Sequence, residues 1–230
     1  MSYLELKRQA YEANIELNDR GLVVYTWGNV SQFDPNKGVL AIKPSGVSYD
    51  TLTVEDMVVV DLDNNIIEGK LRASSDTKTH IHLYKNFDNI GGVTHTHSTY
   101  ATAWAQVKQP IPCFGTTHAD YVYGEVPCTK IMSDEQIERD YEEETGVQIT
   151  DCFQTRSPVE VPMILVAGHA PFTWGKDASA AVYNAVVLEE IAKMAYLTRT
   201  IEQNTAVLKQ GIIDKHYNRK HGKNAYYGQN

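Results

Sequence analysis

From Gly91 to Ser98 the chain reads Gly-Gly-Val-Thr-His-Thr-His-Ser, a short β-like run that ends in two histidines one residue apart. Alternate residues of a strand share a face, so His95 and His97 can grip one metal ion together. Two imidazoles make an incomplete site, because zinc takes three or four protein ligands. A fold for this chain must therefore bring further ligands to the end of this strand.

The remainder has the size to do so. A length of 230 residues, 42% of them hydrophobic, suits one α/β (α+β-like) domain with a sizeable core. No repeat, low-complexity tract or linker-like stretch divides it, and residues 1–230 read as a single domain. The net charge of −8 argues against a nucleic-acid partner. No apolar run approaches the length of a membrane span, and the first residues lack a signal-peptide pattern. Cys113, Cys128 and Cys152 are odd in number and show no CxxC spacing. They read as reduced thiols, and the expected compartment is the cytoplasm.

Residues 3–19 carry Leu6, Ala10, Ala13 and Leu17 at helical spacing and stop near Gly21. Strands are expected at 22–26, after the Gly28 turn, at 39–43, and at 58–61 and 66–68 around an Asp-Asn-Asn hairpin. Thr53 to Asp56 has capping-box spacing for a short helix. Ser74-Ser75-Asp76 caps a helix that runs to about Phe87. Further helices are expected at 98–107, at 133–146 as an acidic solvated face, and from Asp177 to about Glu202. Val161–Val166 reads as a buried strand that delivers Ala167-Gly168-His169. The tail from Lys215 to Gly228 is basic and aromatic.

His80 and His82 form a second His-x-His pair, but on a helix. Two residues there stand about 200° apart around the axis, so they cannot hold one ion. His169, at a strand end after a glycine, is a candidate third ligand. Gly28-Asn29, Ser45-Gly46 beside Lys43, and Ser74-Ser75 are turns or helix starts whose N–H groups suit an anion.

In this order, these motifs are similar to those of the L-ribulose-5-phosphate 4-epimerases of the class II (metal-dependent) aldolase/epimerase family. The likeness runs almost end to end. It rests on Thr26-Trp27-Gly28-Asn29-Val30-Ser31, Lys43-Pro44-Ser45-Gly46-Val47, Ala73-Ser74-Ser75-Asp76-Thr77, Thr94-His95-Thr96-His97-Ser98, Gly115 through Tyr121, Asn184 through Glu189, and the ending Arg219-Lys220-His221-Gly222 with Tyr226-Tyr227-Gly228-Gln229. Ala73 stands where the family pattern has proline. The resemblance implies a nine-stranded, largely antiparallel sheet flanked by helices, in a homotetramer with active sites between subunits. It implies a divalent metal, zinc or manganese, on His95, His97 and His169 with Asp76 as fourth ligand. Phosphate contacts fall on Gly28, Asn29, Ser45, Gly46, Ser74 and Ser75, with the Lys43 charge alongside. Asp120 and Tyr227 match the catalytic acid/base pair, the tyrosine coming from the C-terminal tail of a neighbour.

The implied reaction interconverts L-ribulose 5-phosphate and D-xylulose 5-phosphate. The C4 hydrogen is not acidic, since the ketone is at C2. Inversion therefore runs by retro-aldol cleavage of C3–C4, rotation of glycolaldehyde phosphate, and re-addition. Arabinose, ascorbate and other pentose routes could each feed such an enzyme. Two readings compete: a sugar-phosphate aldolase of the L-fuculose-1-phosphate type, in which the family has glutamate at position 76, and a non-catalytic metal-binding protein.

Overall fold

The computed structural model describes residues 1–227, so Gly228 and Gln229 of the C-terminal motif lie outside it. Helix α1, Tyr3–Asp19, is opened by the Ser2 hydroxyl, which accepts from Glu5 N. Its stripe of Leu6, Ala10, Ala13 and Leu17 is buried. Strands β1 (Asn29–Asp34), β2 (Val39–Ile42), β3 (Val58–Asp61) and β4 (Ile66–Glu68) follow as a meander. After α2 (Thr77–Asn86) comes β5 (Gly92–His95), which pairs antiparallel with β1. The hairpin of β6 (Met163–Leu165) and β7 (Pro171–Gly175) lies on the other side of β5. The order across the sheet is β4-β3-β2-β1-β5-β7-β6.

Both faces of the sheet are covered at β2 and β3, so these two strands read as continuous apolar runs rather than as alternation. On β2, Val39 and Ala41 pack with Leu6 and Ala10 of α1. Leu40 and Ile42 point the other way, into a core shared with Ile81 and Leu83 of α2. That core also takes Ile149 from α5 (Asp134–Cys152) and Ala101 and Ala105 from α3 (Thr99–Gln106). The longest helix, α6 (Ala178–Ile201), starts at an Asp177 cap and runs under β5 and β7.

Several expectations change. Among the described residues the sheet has seven strands, not nine. Pro44–Ala73, Ile111–Val126 and Cys128–Leu165 pair only as isolated bridges. Proline at 44, beside Ile111 at 110 and 112, and between Val126 and Cys128 at 127 removes the donors a longer ladder needs. Residues 22–26 are no strand: Tyr25 sits at φ 55°, and Trp27 N closes a turn on Val24 O. Thr53–Asp56 is no helix: the Asp56 carboxylate accepts from the N–H and hydroxyl of Thr53 as in a capping box, but the chain completes only a turn before β3 begins at Val58. The acidic segment is not simply a solvated face, since α5 runs on to Cys152 and buries Glu144, Thr145, Gln148 and Ile149. The tail contains a further helix, α7 (Gln210–His221), packed on the short α4 (Thr116–Ala119).

Candidate active site

Strand pairing assembles the three histidines. His95 ends β5, opposite Asn29 of β1 on one side and Phe172 of β7 on the other. His169 sits in the turn between β6 and β7, just before Pro171, and so comes back beside His95. His95, His97 and His169 each bring a ring nitrogen into one group whose members all lie within 4.8 Å. His95 Nδ1 lies 3.0 Å from the carbonyl oxygen of Pro171. A carbonyl only accepts, so Nδ1 carries the proton and Nε2 presents its lone pair. The His95 ring stacks on Phe172, and Trp27 meets His97 edge-on.

Burial, reinforced by the neighbouring imidazoles, lowers His97 and His169 to about 4. Both are therefore neutral near pH 7, the form that binds metal. The buried Nδ1 of His169 has no hydrogen-bond partner among the described residues, which leaves that ring with unspent capacity. Three converging imidazoles, with the tautomer of His95 fixed by the Pro171 carbonyl, are a donor set that suits zinc and similar divalent ions.

Asp76 stands at the start of α2, without a side-chain capping bond, and lines the same cleft. It does not join the close group of ligand atoms: its Oδ2 accepts the Asn29 amide at 2.6 Å. Burial alone would raise its pKa, but the facing His95 and His80 and the Asn29 amide hold the carboxyl below its ordinary range. His80 and His82 stay out of the metal group, as helix geometry requires. His80 bonds Ser31 Oγ at 2.7 Å inside the core, and His82 bonds Glu143 at 2.8 Å.

The histidines form one wall of a cleft of about 510 Å³. Gly28, Asn29, Lys43, Ser45, Gly46, Ser74 and Ser75 line it together with Asp76. Three loops distant in sequence thus converge on one cleft facing the triad. Lys43 is almost fully buried. Its Nζ donates to Val47 O at 2.6 Å, and desolvation lowers its pKa to about 8. Gly28, at φ 74°, passes so close to β5 that a Cβ would stand 2.8 Å from the His95 carbonyl oxygen. At Gly92 a Cβ would stand 2.2 Å from the Asp177 oxygen, so this glycine lets the β7–α6 corner press against the strand that carries His95. Glu189 of α6 accepts from Tyr100 N and Ala101 N at 2.9 Å each, capping the helix that follows His97.

Asp120 and Tyr227 do not line this cleft. They are brought together elsewhere, on α4 and the end of the tail. Arg219 Nε and Nη2 donate to the two Asp120 oxygens at 2.9 and 2.6 Å, and His216 Nδ1 lies 3.0 Å from Oδ1. The Tyr227 ring lies over Arg219 and Lys220.

One neighbour of the triad escaped the sequence reading. The α5 helix is broken at Asp140 (φ −167°, ψ 99°), where Lys78 of α2 pairs with the carboxylate. Just past the break, the Tyr141 ring comes within 5.9 Å of that of His169. A single tyrosine in an acidic run gives no signal of this, and Tyr141 remains exposed beside the triad.

Fold and site together define a class: a helix-covered antiparallel sheet with a histidine triad at a strand end, facing a cleft lined by glycine, serine, asparagine and lysine. The family described as Class II Aldolase and Adducin N-terminal domain matches over residues 8–196, and the chain belongs to that family. Among curated proteins, it is 51% identical to L-ribulose-5-phosphate 4-epimerase UlaF of Salmonella paratyphi A, over 98% of this chain and 99% of that protein. The protein of the same name from Salmonella typhi matches equally. Among solved structures, an L-fuculose 1-phosphate aldolase superposes with a TM-score of 0.81 at 24% identity, covering 94% of this chain and 95% of its own. That likeness concerns the fold.

Proposed function

We propose that this chain is a metal-dependent L-ribulose-5-phosphate 4-epimerase that interconverts L-ribulose 5-phosphate and D-xylulose 5-phosphate. The observation that carries the reading is the convergence of a histidine triad and a Ser/Gly/Asn/Lys cleft in one cavity. A metal grip beside an anion grip suits a short phosphorylated ketose, and the relatives at 51% identity bear the same activity in their name.

A divalent ion held by His95, His97 and His169, with Asp76 nearby, would supply electrophilic stabilisation of negative charge on the ketone half. The cleft residues hold the phosphate of the other half, so that the aldehyde fragment stays bound while its carbonyl turns over. Ser45, Ser74 and Ser75 offer hydroxyl donors, and Lys43 adds charge. Asp120 and Tyr227 handle the proton at the C4 oxygen on opposite faces. Asp76 supports epimerase over aldolase: aspartate is one methylene shorter than the glutamate expected there in the aldolases, and the epimerase need not move a carbon-bound proton.

Asp120 and Tyr227 stand off the cleft of their own chain, which supports a homotetramer in which each cleft is completed by a neighbour's tail. No helix among the described residues is long and apolar enough to cross a membrane. The three cysteines are free, in keeping with work in the cytoplasm. Zinc is the metal the imidazole set favours, with manganese the alternative.

The test is to incubate the enzyme with L-ribulose 5-phosphate and follow D-xylulose 5-phosphate, before and after chelation and zinc add-back. Accumulation of free three- and two-carbon fragments without epimer would overturn the assignment in favour of an aldolase.

A further inference from the structure

The geometry points to Arg219 as a positioning residue that binds Asp120 and Tyr227 into one rigid unit. The inference rests on the reading of those two residues as the acid/base pair and adds a residue to it. A guanidinium fork matches a carboxylate bidentately, and Arg219 uses both arms, at 2.9 and 2.6 Å, to fix the Asp120 plane. The central carbon of the same guanidinium lies over the Tyr227 ring, 5.1 Å from its centre. The main chain repeats the link, since Tyr226 N and Tyr227 N close on the Arg219 carbonyl at 3.0 and 3.2 Å. One side chain therefore sets the distance between two residues that lie far apart in sequence. A pair that must work on a neighbour's substrate needs such a link, because nothing in its own cleft holds it.

Asp120 is also faced by His216, by Lys220 of α7, and by Tyr121, which pairs with Tyr183 of α6. His221 donates to its backbone oxygen. Burial works against its charge, and Arg219 and His216 outweigh burial to hold the carboxyl below its ordinary range. Arg219 thus also keeps Asp120 ionised.

Arg219→Gln should lower kcat about 30-fold or more with KM changed less than about threefold, and raise the acid limb of the kcat/KM profile by about one pH unit. Arg219→Lys keeps the charge and loses the fork, so the limb should return toward its original pH while kcat stays at least about tenfold down. In an Asp120→Asn background, Arg219→Gln should cost less than about a further twofold. A kcat within about twofold of the unaltered enzyme for Arg219→Gln, with Asp120→Asn impaired, overturns the role of Arg219 alone. An Asp120→Asn variant with full activity overturns the acid/base reading and this inference with it. Should the glutamine variant not fold, full kcat in the lysine variant is the overturning result.

Discussion

His95 Nε2 and His97 Nε2 stand 3.1 Å apart at the end of β5. The proton of His95 is committed to Pro171 on the other side of its ring. Such a pair is built to share a cation. His97→Asn should therefore weaken metal affinity by about 100-fold or more, beyond the loss usual for outer-shell changes. Elemental analysis after dialysis against a weak chelator reads this directly, and an unchanged metal content would remove His97 from the ligand set.

Ser45 belongs to the loop proposed to hold phosphate. One hydrogen bond to a charged group is worth about tenfold in binding, so Ser45→Ala should raise KM by about that factor with a smaller effect on kcat. Inorganic phosphate should compete with substrate and bind Ser45→Ala correspondingly less well. Equal inhibition of both forms would place the phosphate elsewhere.

If clefts are completed by neighbours, two inactive variants can complement each other. A His97→Asn chain still offers its tail, and a Tyr227→Phe chain still offers its histidines. Random mixing in a cyclic tetramer leaves about one cleft in four with both parts intact. Co-refolded or co-expressed variants should recover up to about a quarter of full activity. Recovery no greater than the sum of the separate variants would mean each chain works alone.

Buried histidines set the acid stability of the metal-free protein. His80, in the core beside Ser31, is pushed down to about 3 by burial, and His118 to about 4 for the same reason. Both bind protons more readily when unfolded than when folded. The unfolded state thus takes up more protons between about pH 6.5 and 4, and stability falls as pH drops through that window. The slope is at most about 1.4 kcal/mol per pH unit for each group. Urea unfolding of the chelated protein at a series of pH values measures it, and His118→Gln should flatten the curve. An unchanged slope in that variant would show that His118 is not a contributor.

Much of the site was legible in the sequence because its signals are local. The His-x-His pair needs only the two-residue period of a strand, and its rejection at His80 and His82 needs only the turn of a helix. Gly28, Ser45 and Ser74 advertise their turns by composition. The errors lie where side chains or prolines redirect the backbone. The apolar residues after Gly21 suggested a strand, but a left-handed Tyr25 turns them into the loop that brings Trp27 to His97. Tyr141 lay hidden in an acidic run, where the helix restarts at Asp140, whose carboxylate accepts from Glu143 N and also pairs with Lys78, 62 residues away.

The spacing of His95 and His97 pointed to two imidazoles sharing a side, and they do meet although β5 ends at His95 and His97 lies just past it. The glycines at 91 and 92 mark where another chain segment must pass close. Everything that makes those two histidines a centre depends on pairings between distant strands. The β6–β7 hairpin lies beside β5, so His169 arrives within 4.8 Å of its partners. β1 lies on the other side, so Asn29 reaches both His95 and Asp76. Periodicity encodes a face, because a face is a property of neighbouring residues. It cannot encode which strand lies next to which, because that is settled by how both faces of the whole sheet are buried.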